Sequence, residues 1–551
     1  MVLTSQLTKV NPPTNNKDIS PLVLCGSLAV VLAVHFINNF FWIQADYSFE
    51  GCDVVQHLNV QAIVWYIWEW TIGLPVSWHE KLLLLYSYRI LFNPIWSPFI
   101  HIIGCVANAA FGRGLIPVLL ISTLWFMLLI VSTSGLGCRL FGRREGLLAG
   151  VLVSLYPGLC GLSRKFGLDL PLASMVTLGL YLLVRSQGFK RRGASLAFGA
   201  CLGTALMVKL QAIIFFSAPL VLAWLRIRRQ VRYYQRRRHV PVGVARLVVA
   251  RRRHFFQAAL LGASIAGAFW LPAIVVAVVI AVQHMRFPDI YISPRFAGDL
   301  GGAWFYTVKA WDNISVPLFF GGVPFALRAL ISKFRKTGLL AVWIGIPFVV
   351  FSVIPVCWDR YIFPCFPAFA LLTARGIIQV LAREIRLSII KIFVLIGILQ
   401  CAWFSYGQAG GWLHPPQDYR PQMRELARRA IIQESLPEFN CNQVMVISHL
   451  VFWGDEQVGL EYLFAYAYWG KQDTMIKPIA VEQGPWGLPT YLDSRIHLVE
   501  AGPRRQMPRY LLGFYWCGGL ALPGYRERAT VSLPDFGIKL QVWERDNESG
   551  K

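Results

Sequence analysis

The chain is 551 residues long, 56% hydrophobic and only 15% charged, with a mean hydropathy of +0.50. Soluble domains carry roughly a quarter charged residues, so these values exclude an ordinary soluble enzyme and require a multispanning membrane protein. Its 53 basic and 29 acidic residues give a net charge of +24. The basic residues sit in short clusters between apolar runs without aromatic interleaving, which assigns them to membrane topology and anionic lipid, not to nucleic acid.

In chain order, residues 1–20 are polar and carry Lys9 and Lys17, and residues 21–43 form an apolar run. That run is too long for a signal-peptide core and lacks a cleavage site, so it predicts an uncleaved first span. The stretch Ala45-Asp46-Tyr47-Ser48-Phe49-Glu50-Gly51-Cys52-Asp53 then places three carboxylates at the membrane boundary. A carboxylate held at the hydrocarbon edge is costly unless it is paired, binds metal or does chemistry, although a solvated loop is the simpler alternative. Residues 54–70, with Trp65, Trp68 and Trp70, alternate polar and apolar side chains at helical spacing, as expected of a helix lying in the interface. A second interfacial helix is expected over 79–92.

Ten further spans are expected at 115–138, 146–163, 168–184, 194–209, 211–225, 256–283, 313–330, 338–356, 361–381 and 388–406, eleven in all. The basic connections 139–144, 185–192, 226–254, 333–336 and 383–391 all fall on one side by parity, and that side is the cytoplasm. The block 226–254 holds Arg226, Arg228, Arg229, Arg232, Arg236, Arg237, Arg238, Arg246, Arg251, Arg252 and Arg253 and no acid. The opposite, extracytoplasmic face receives 46–114, 163–168, 208–211, 284–312, 357–360 and everything after 406. Loop 283–312, with its prolines and glycines, is expected to be a flap over that face.

After residue 407 the composition changes. Helices are expected at 417–437 and 455–469, and strands at 444–448, 475–481, 529–533 and 537–543, the last two paired across Pro534-Asp535. Residues 407–551 thus read as a small extracytoplasmic α/β domain following a membrane domain of residues 1–406. The region has no glycine-rich nucleotide motif. Asp455, Glu456 and Glu461 read as a solvated helix start. The eleven cysteines include no C-x-x-C pair and mostly fill spans; Cys441 and Cys517 are candidates for a disulfide in an oxidising compartment.

Five local patterns occur in order: Asp53 and His57 in CDVVQHL, Leu140 to Gly150 (LFGRREGLLAG), Ser163 to Asp169 (SRKFGLD), Gly203 to Lys209 (GTALMVK) and Arg360 to Pro367 (RYIFPCFP). Together they resemble the GT-C membrane glycosyltransferases related to protein O-mannosyltransferases and the lipid A aminoarabinose transferase. The patterns cover most of residues 20–405. Two departures stand out: Asp53 is followed by Val54 where family members often have Glu, and His79-Glu80-Lys81 stands where many have His-Pro-Pro. That triplet is similar to the Glu-Lys pair of the aminoarabinose transferase, which would make Glu80 a metal ligand and Lys81 a contact to the donor phosphate.

The resemblance implies an inverting sugar transfer from a polyprenyl-phosphate donor to an extracytoplasmic glycan, lipid or protein. Such a step needs one carboxylate to take the acceptor's proton and cations to hold the departing lipid phosphate. No second acid is required, unlike the two-carboxylate plan of glycosidases. Asp53 is the expected base, with Glu50 nearby and His57 one helical turn further on to orient it or bind metal. Lys81, Arg164, Lys209 and Arg360, with the Tyr361 hydroxyl, are the expected phosphate contacts. Snorkelling to the interface is the alternative for Arg164 and Lys209. Asp169, beside Arg164 and Lys165, reads equally as an ion-pair partner or a site residue. Glu80 with His79 or His57 is the candidate site for a divalent metal ion. Two rival classes remain open: a transporter of lipid-linked saccharide, which should place polar residues in broken spans near midplane, and a membrane scaffold, which would tolerate loss of Asp53, Lys81 or Arg360.

Overall fold

A computed structural model describes residues 19–46, 99–112, 115–235, 242–271, 301–332, 334–354, 358–408, 412–416, four strands between 444 and 545, and positions 57, 61, 64, 77, 78 and 80. Asp53, Glu50, His79 and Lys81 lie outside the described residues, as do the interfacial assignments over most of 54–92, the helices expected at 417–437 and 455–469, the strand expected at 475–481, and Cys441 and Cys517. The chain divides into two compact units, one of residues 1–40, 94–97 and 122–415 and one of residues 41–93, 98–121 and 416–551.

The helices, in chain order, are α1 Pro21–Ala45, α2 Phe99–Phe111, α3 Leu115–Leu140, α4 Arg143–Ser154, α5 Pro157–Leu162, α6 Asp169–Arg185, α7 Arg192–Val208, α8 Ala212–Gln235, α9 Val242–Trp270, α10 Gly301–Ile314, α11 Val316–Ser332, α12 Phe334–Val353, α13 Phe366–Val380 and α14 Arg383–Tyr406. A 3-10 segment, Asp359–Cys365, leads into α13. Ser20 starts α1 by accepting the backbone N–H of Val23 at 3.2 Å, and Pro21 supplies a fixed φ where no donor is needed. This fold makes the protein an integral membrane protein.

Four described helices are long and apolar enough by themselves to cross a membrane, or five if the bent pair α10–α11 is one span. The eleven expected spans are not reached by this measure. Helices α6 and α7 have 17 residues each, the expected span 256–283 lies partly outside the described residues, and other expected elements differ for local reasons. The expected span 146–163 is two helices, because Pro157 disfavours helical backbone at Tyr156 and opens α5. The expected flap 283–312 is helical from Gly301, and α10 meets α11 at 110°. Ser315 takes up that bend with φ of 86°, a left-handed conformation sparsely populated by non-glycine residues. The basic connection 226–254 is helical at both ends, since its arginines favour helix and no glycine or proline interrupts 226–235.

In the first unit, α7 packs between α6 and α9, and α13 packs on α4 and α11. The α7–α9 contact is close: a Cβ on Gly203 would lie 2.7 Å from Ile265, and one on Gly262 2.9 Å from the Gly199 carbonyl. Small residues four apart allow such backbone approach where no hydrophobic effect drives helices together. By contrast, α1 and α14 display Val30, Val34, Leu395 and Trp403 outward, as lipid-facing helices do. In the second unit, β1 Val444–Ile447, β2 Tyr510–Phe514, β3 Tyr525–Leu533 and β4 Ile538–Arg545 form one sheet in the order β1-β2-β4-β3. β1 and β2 run parallel; β3 and β4 form the hairpin expected around Pro534-Asp535, with Leu533 opposite Ile538 and a register shift between Glu527 and Ala529.

Candidate active site

Four of the sequence-predicted residues meet in the first unit. Asp169 is the first residue of α6, Lys209 ends α7 as its C-cap, and Arg360 and Tyr361 stand in the 3-10 segment. Lys209 Nζ donates to Asp169 Oδ1 at 2.7 Å, and Arg360 Nε lies 3.6 Å from Asp169 Oδ2. The Lys209 ammonium sits 5.4 Å from the Tyr361 ring centroid. Their side chains are 11% (Asp169), 21% (Lys209) and 12% (Arg360) exposed, so the group is partly dehydrated and still open to a ligand.

Neighbours hold the 3-10 segment in register. Asp359 accepts the Arg360 backbone N–H at 2.8 Å and the Trp412 indole N–H at 2.7 Å. The Arg360 guanidinium stacks over Trp358 at 4.6 Å, and the Lys165 ammonium lies 5.7 Å from the Trp412 ring. Gly161 lets Trp412 approach, because a Cβ there would collide with the Trp412 carbonyl. Asp169 divides its two oxygens between Lys209 and Arg360, so either cation can turn to a phosphate without losing a sole partner's full pairing. A planar guanidinium suits bidentate contact and the ammonium acts as a point charge.

Arg164 is placed elsewhere. It is 3% exposed; its Nε donates to Asn39 Oδ1 at 3.0 Å and its Nη2 to Ser405 Oγ at 3.0 Å. Asn39 in turn donates to Ser163 Oγ at 2.7 Å and Thr123 Oγ1 at 3.2 Å. This buried network ties α1, α3, the α5–α6 turn and α14 together. Among the described residues, the Arg164 hydrogen bonds all go to side chains of the helix bundle.

In the second unit His57 is buried and its Nδ1 lies 3.2 Å from His101 Nε2 of α2. One turn along both segments, Gln61 Nε2 faces Cys105 Sγ at 3.7 Å. Facing imidazole nitrogens at this distance require one to donate and the other to accept, so the tautomers of His57 and His101 are coupled. Glu80 accepts from the Ser77 backbone N–H at 2.8 Å and the Ser77 hydroxyl at 2.7 Å, while Glu80 N–H donates to Ser77 Oγ at 3.3 Å. This reciprocal pattern is a capping box, and it engages the carboxylate proposed for metal. Ser77's hydroxyl, then its backbone N–H, hold the Glu80 carboxyl below its usual range. Among the described residues no three His, Cys, Asp or Glu side chains gather to hold a metal ion.

Sequence reasoning missed Asp359, Trp412, His101 and Asn39. Asp359 and Trp412 flank apolar runs without periodicity; Asn39 was visible as a lone amide within the first apolar run, and His101 as a histidine within FIHIIGC.

Residues 97–251 match the family model described as dolichyl-phosphate-mannose-protein mannosyltransferase. No curated protein matches the chain in sequence. Among solved structures the chain is similar to ArnT from Cupriavidus metallidurans in the apo state, with a TM-score of 0.58 and 15% identity over 94% of this chain and 98% of that one. ArnT bound to undecaprenyl phosphate gives a TM-score of 0.57 and 16% identity over 95% of this chain and 98% of that one. The chain is therefore an integral membrane protein with the GT-C fold of ArnT, and its residues 97–251 carry the sequence pattern of the dolichyl-phosphate-mannose-protein mannosyltransferases.

Proposed function

We propose that the protein is an inverting glycosyltransferase that moves one sugar from a polyprenyl-phosphate carrier to an extracytoplasmic acceptor, a surface glycan, lipid or protein. The observation that carries this reading is the Asp169–Lys209–Arg360 group beside Tyr361, in a chain whose structural neighbour ArnT has been captured with undecaprenyl phosphate. In this reading Lys209, Arg360 and the Tyr361 hydroxyl receive the phosphate, joined by Lys81 from the first external segment. Asp169 holds the two cations in place and yields part of its pairing when the phosphate arrives. Arg164 is assigned to helix packing, and Trp412 and Asp359 to positioning Arg360.

Asp53 takes the acceptor hydroxyl proton as its oxygen attacks the anomeric carbon from the side opposite the phosphate. The C–O bond to phosphate breaks, the lipid phosphate leaves as an anion held by the cations, and configuration inverts. His57, hydrogen-bonded to His101, orients Asp53, and Glu50 stands upstream in the sequence. A phosphate monoester is already a good leaving group, so no second acid is needed, in contrast to glycosidases. The sugar is a hexose or a pentose. The basic connections face the cytoplasm with the N-terminus, and the acceptor arrives from the periplasmic or external side of the inner membrane. The transporter alternative has less support, because Asp169, Lys209 and Arg360 stand at helix ends instead of in broken spans at midplane.

The test is sugar transfer from radiolabelled polyprenyl-phosphate sugars in membranes carrying wild type or Asp53→Asn, matched for insertion. Product from wild type and a fall of about 10²–10⁴ in the variant is expected. Transfer from no donor overturns the enzyme reading, and undiminished transfer by the variant removes Asp53 as base.

A further inference from the structure

The largest feature that the proposed reaction leaves unused is the arginine block at the facing ends of α8 and α9. The two helices run antiparallel, with Trp224 of α8 against Phe255 and Phe256 of α9, and a buried arginine bonds across them. Arg251 Nη1 donates to Gln230 Oε1 of α8 at 2.7 Å and its Nη2 to the Gln187 carbonyl at 3.1 Å. The α6–α7 turn is shaped to make that second bond. Gln187, Gly188 and Phe189 have φ of 55°, 67° and 66°, three successive left-handed residues whose backbone strain must be held by packing. Phe189 is fully buried against Phe198 and Phe255, and its carbonyl meets His254 Nδ1 at 3.0 Å. Three segments are thereby pinned at one place.

Around that pin seven arginines are exposed: Arg191 and Arg192 of the turn, Arg228, Arg229 and Arg232 of α8, and Arg252 and Arg253 of α9. None forms an ion pair among the described residues, and the whole stretch 226–254 contains no acid. Like charges gathered by specific backbone and side-chain bonds repel one another, so the fold bears a cost that a bound anion offsets. The local potential is felt at Lys190, whose ammonium is pushed below its ordinary pKa by burial and by Arg251.

The apolar surface beside the arginines selects among anions. On α8 exposed Val221 and Leu225 precede Arg228, Arg229 and Arg232 at spacings of three, four and seven; on α9 exposed Phe256 and Leu260 follow Arg252 by four and eight. These spacings put hydrocarbon and cations on one stripe of each helix. A nucleic acid would meet the arginines and leave the adjoining leucines and phenylalanine in water. We propose that this three-segment platform is a binding site for the headgroup of an acidic glycerophospholipid, its phosphodiester among Arg228, Arg229, Arg252 and the turn arginines, its acyl chains along Val221, Leu225, Phe256 and Leu260. Topology alone asks only for basic residues near span ends; it does not ask for the strained turn or the buried Arg251 that gather them.

The test compares full-length protein in nanodiscs of phosphatidylcholine with and without phosphatidylglycerol, reading annular and retained phosphatidylglycerol by native mass spectrometry. Wild type should retain phosphatidylglycerol through delipidating detergent. R228Q/R229Q/R252Q/R253Q should retain on the order of tenfold less, while R386Q/K391Q at the start of α14 retains as much as wild type. If the fourfold variant is not recovered folded, the R228K/R229K/R252K/R253K variant and a salt titration of wild type serve in its place. Retention that persists in the lysine variant and weakens with salt supports the site. Equal retention by wild type and the fourfold variant, loss matched by the α14 variant, or wild-type preference for a single-stranded oligonucleotide over phosphatidylglycerol overturns it.

Discussion

Asp169→Asn separates the two roles open to this carboxylate. Asp169 contacts Lys209 at 2.7 Å and Arg360 at 3.6 Å, so the asparagine keeps an acceptor for Lys209 and leaves two cations facing each other. Opposite charges about 4 Å apart attract by roughly 4 kcal/mol at an effective dielectric near 20, before desolvation is subtracted. Removing one partner of a buried pair costs about 3–5 kcal/mol. Lys209 is 21% exposed and Asp169 11%, so water relieves some of this, and we expect a net loss of about 2–4 kcal/mol. The same substitution removes the anion that competes with phosphate for both cations. The variant should therefore denature several degrees lower in a thermal assay in detergent, bind undecaprenyl phosphate at least as tightly as wild type, and retain kcat within about tenfold. A drop in kcat of about 10²–10⁴ with unchanged donor affinity and stability would mean that Asp169 handles the acceptor's proton, and the assignment to Asp53 would be refuted.

Arg164→Met should lower the recovery of folded protein, because Asn39 and Ser405 each lose a hydrogen bond to a charged donor, about 1.5–3 kcal/mol apiece; normal expression with selective loss of donor binding would return Arg164 to the phosphate site. Gly161→Ala should push Trp412 away from Asp359 and weaken donor binding, with an overpacking cost of about 1–3 kcal/mol; an unchanged KM for donor would show that Trp412 does not position Arg360. His101→Ala should lower kcat more than it raises KM, while His101→Gln, which keeps a polar partner for His57, restores part of the rate; an unchanged kcat in both variants would make the His57–His101 pair structural only. For Glu80, whose folded-state pKa lies below its ordinary value, the cap's contribution is fully present above the ordinary carboxylate pKa and is lost as pH falls through the lowered one. Wild type and Glu80→Gln should differ in thermal stability at neutral pH and converge in acid; a constant difference across pH would rule out the charged cap.

That the chain is a helical membrane protein was legible because span hydropathy is a long-range average. The breaks were local and needed local signals: Tyr156-Pro157 was readable, whereas the left-handed Ser315 has no composition cue. Asp169, Lys209, Arg360 and Tyr361 could be named from sequence because polar residues at apolar span ends are costly. Arg164 carries the same signal, and its hydrogen bonds to Asn39 and Ser405, distant in sequence, could not be read from the sequence. Glu80 illustrates the same ambiguity: Ser77-x-x-Glu80 is a capping box by spacing, yet its neighbour Lys81 suggested a ligand. Strand β2 was missed although Pro508 and Gly518 bracket its short apolar run, since five residues do not establish a period.

The central claim is that Lys209 and Arg360 hold a lipid phosphate. It is tested most directly by titrating purified protein with undecaprenyl phosphate in native mass spectrometry, comparing wild type with Lys209→Met and Arg360→Met. Wild type should bind one molecule, and each variant should bind about 10–100-fold more weakly, as expected for loss of a charge-assisted contact of about 1.5–3 kcal/mol. Equal binding by wild type and both folded variants would contradict the account and place the phosphate elsewhere in the protein.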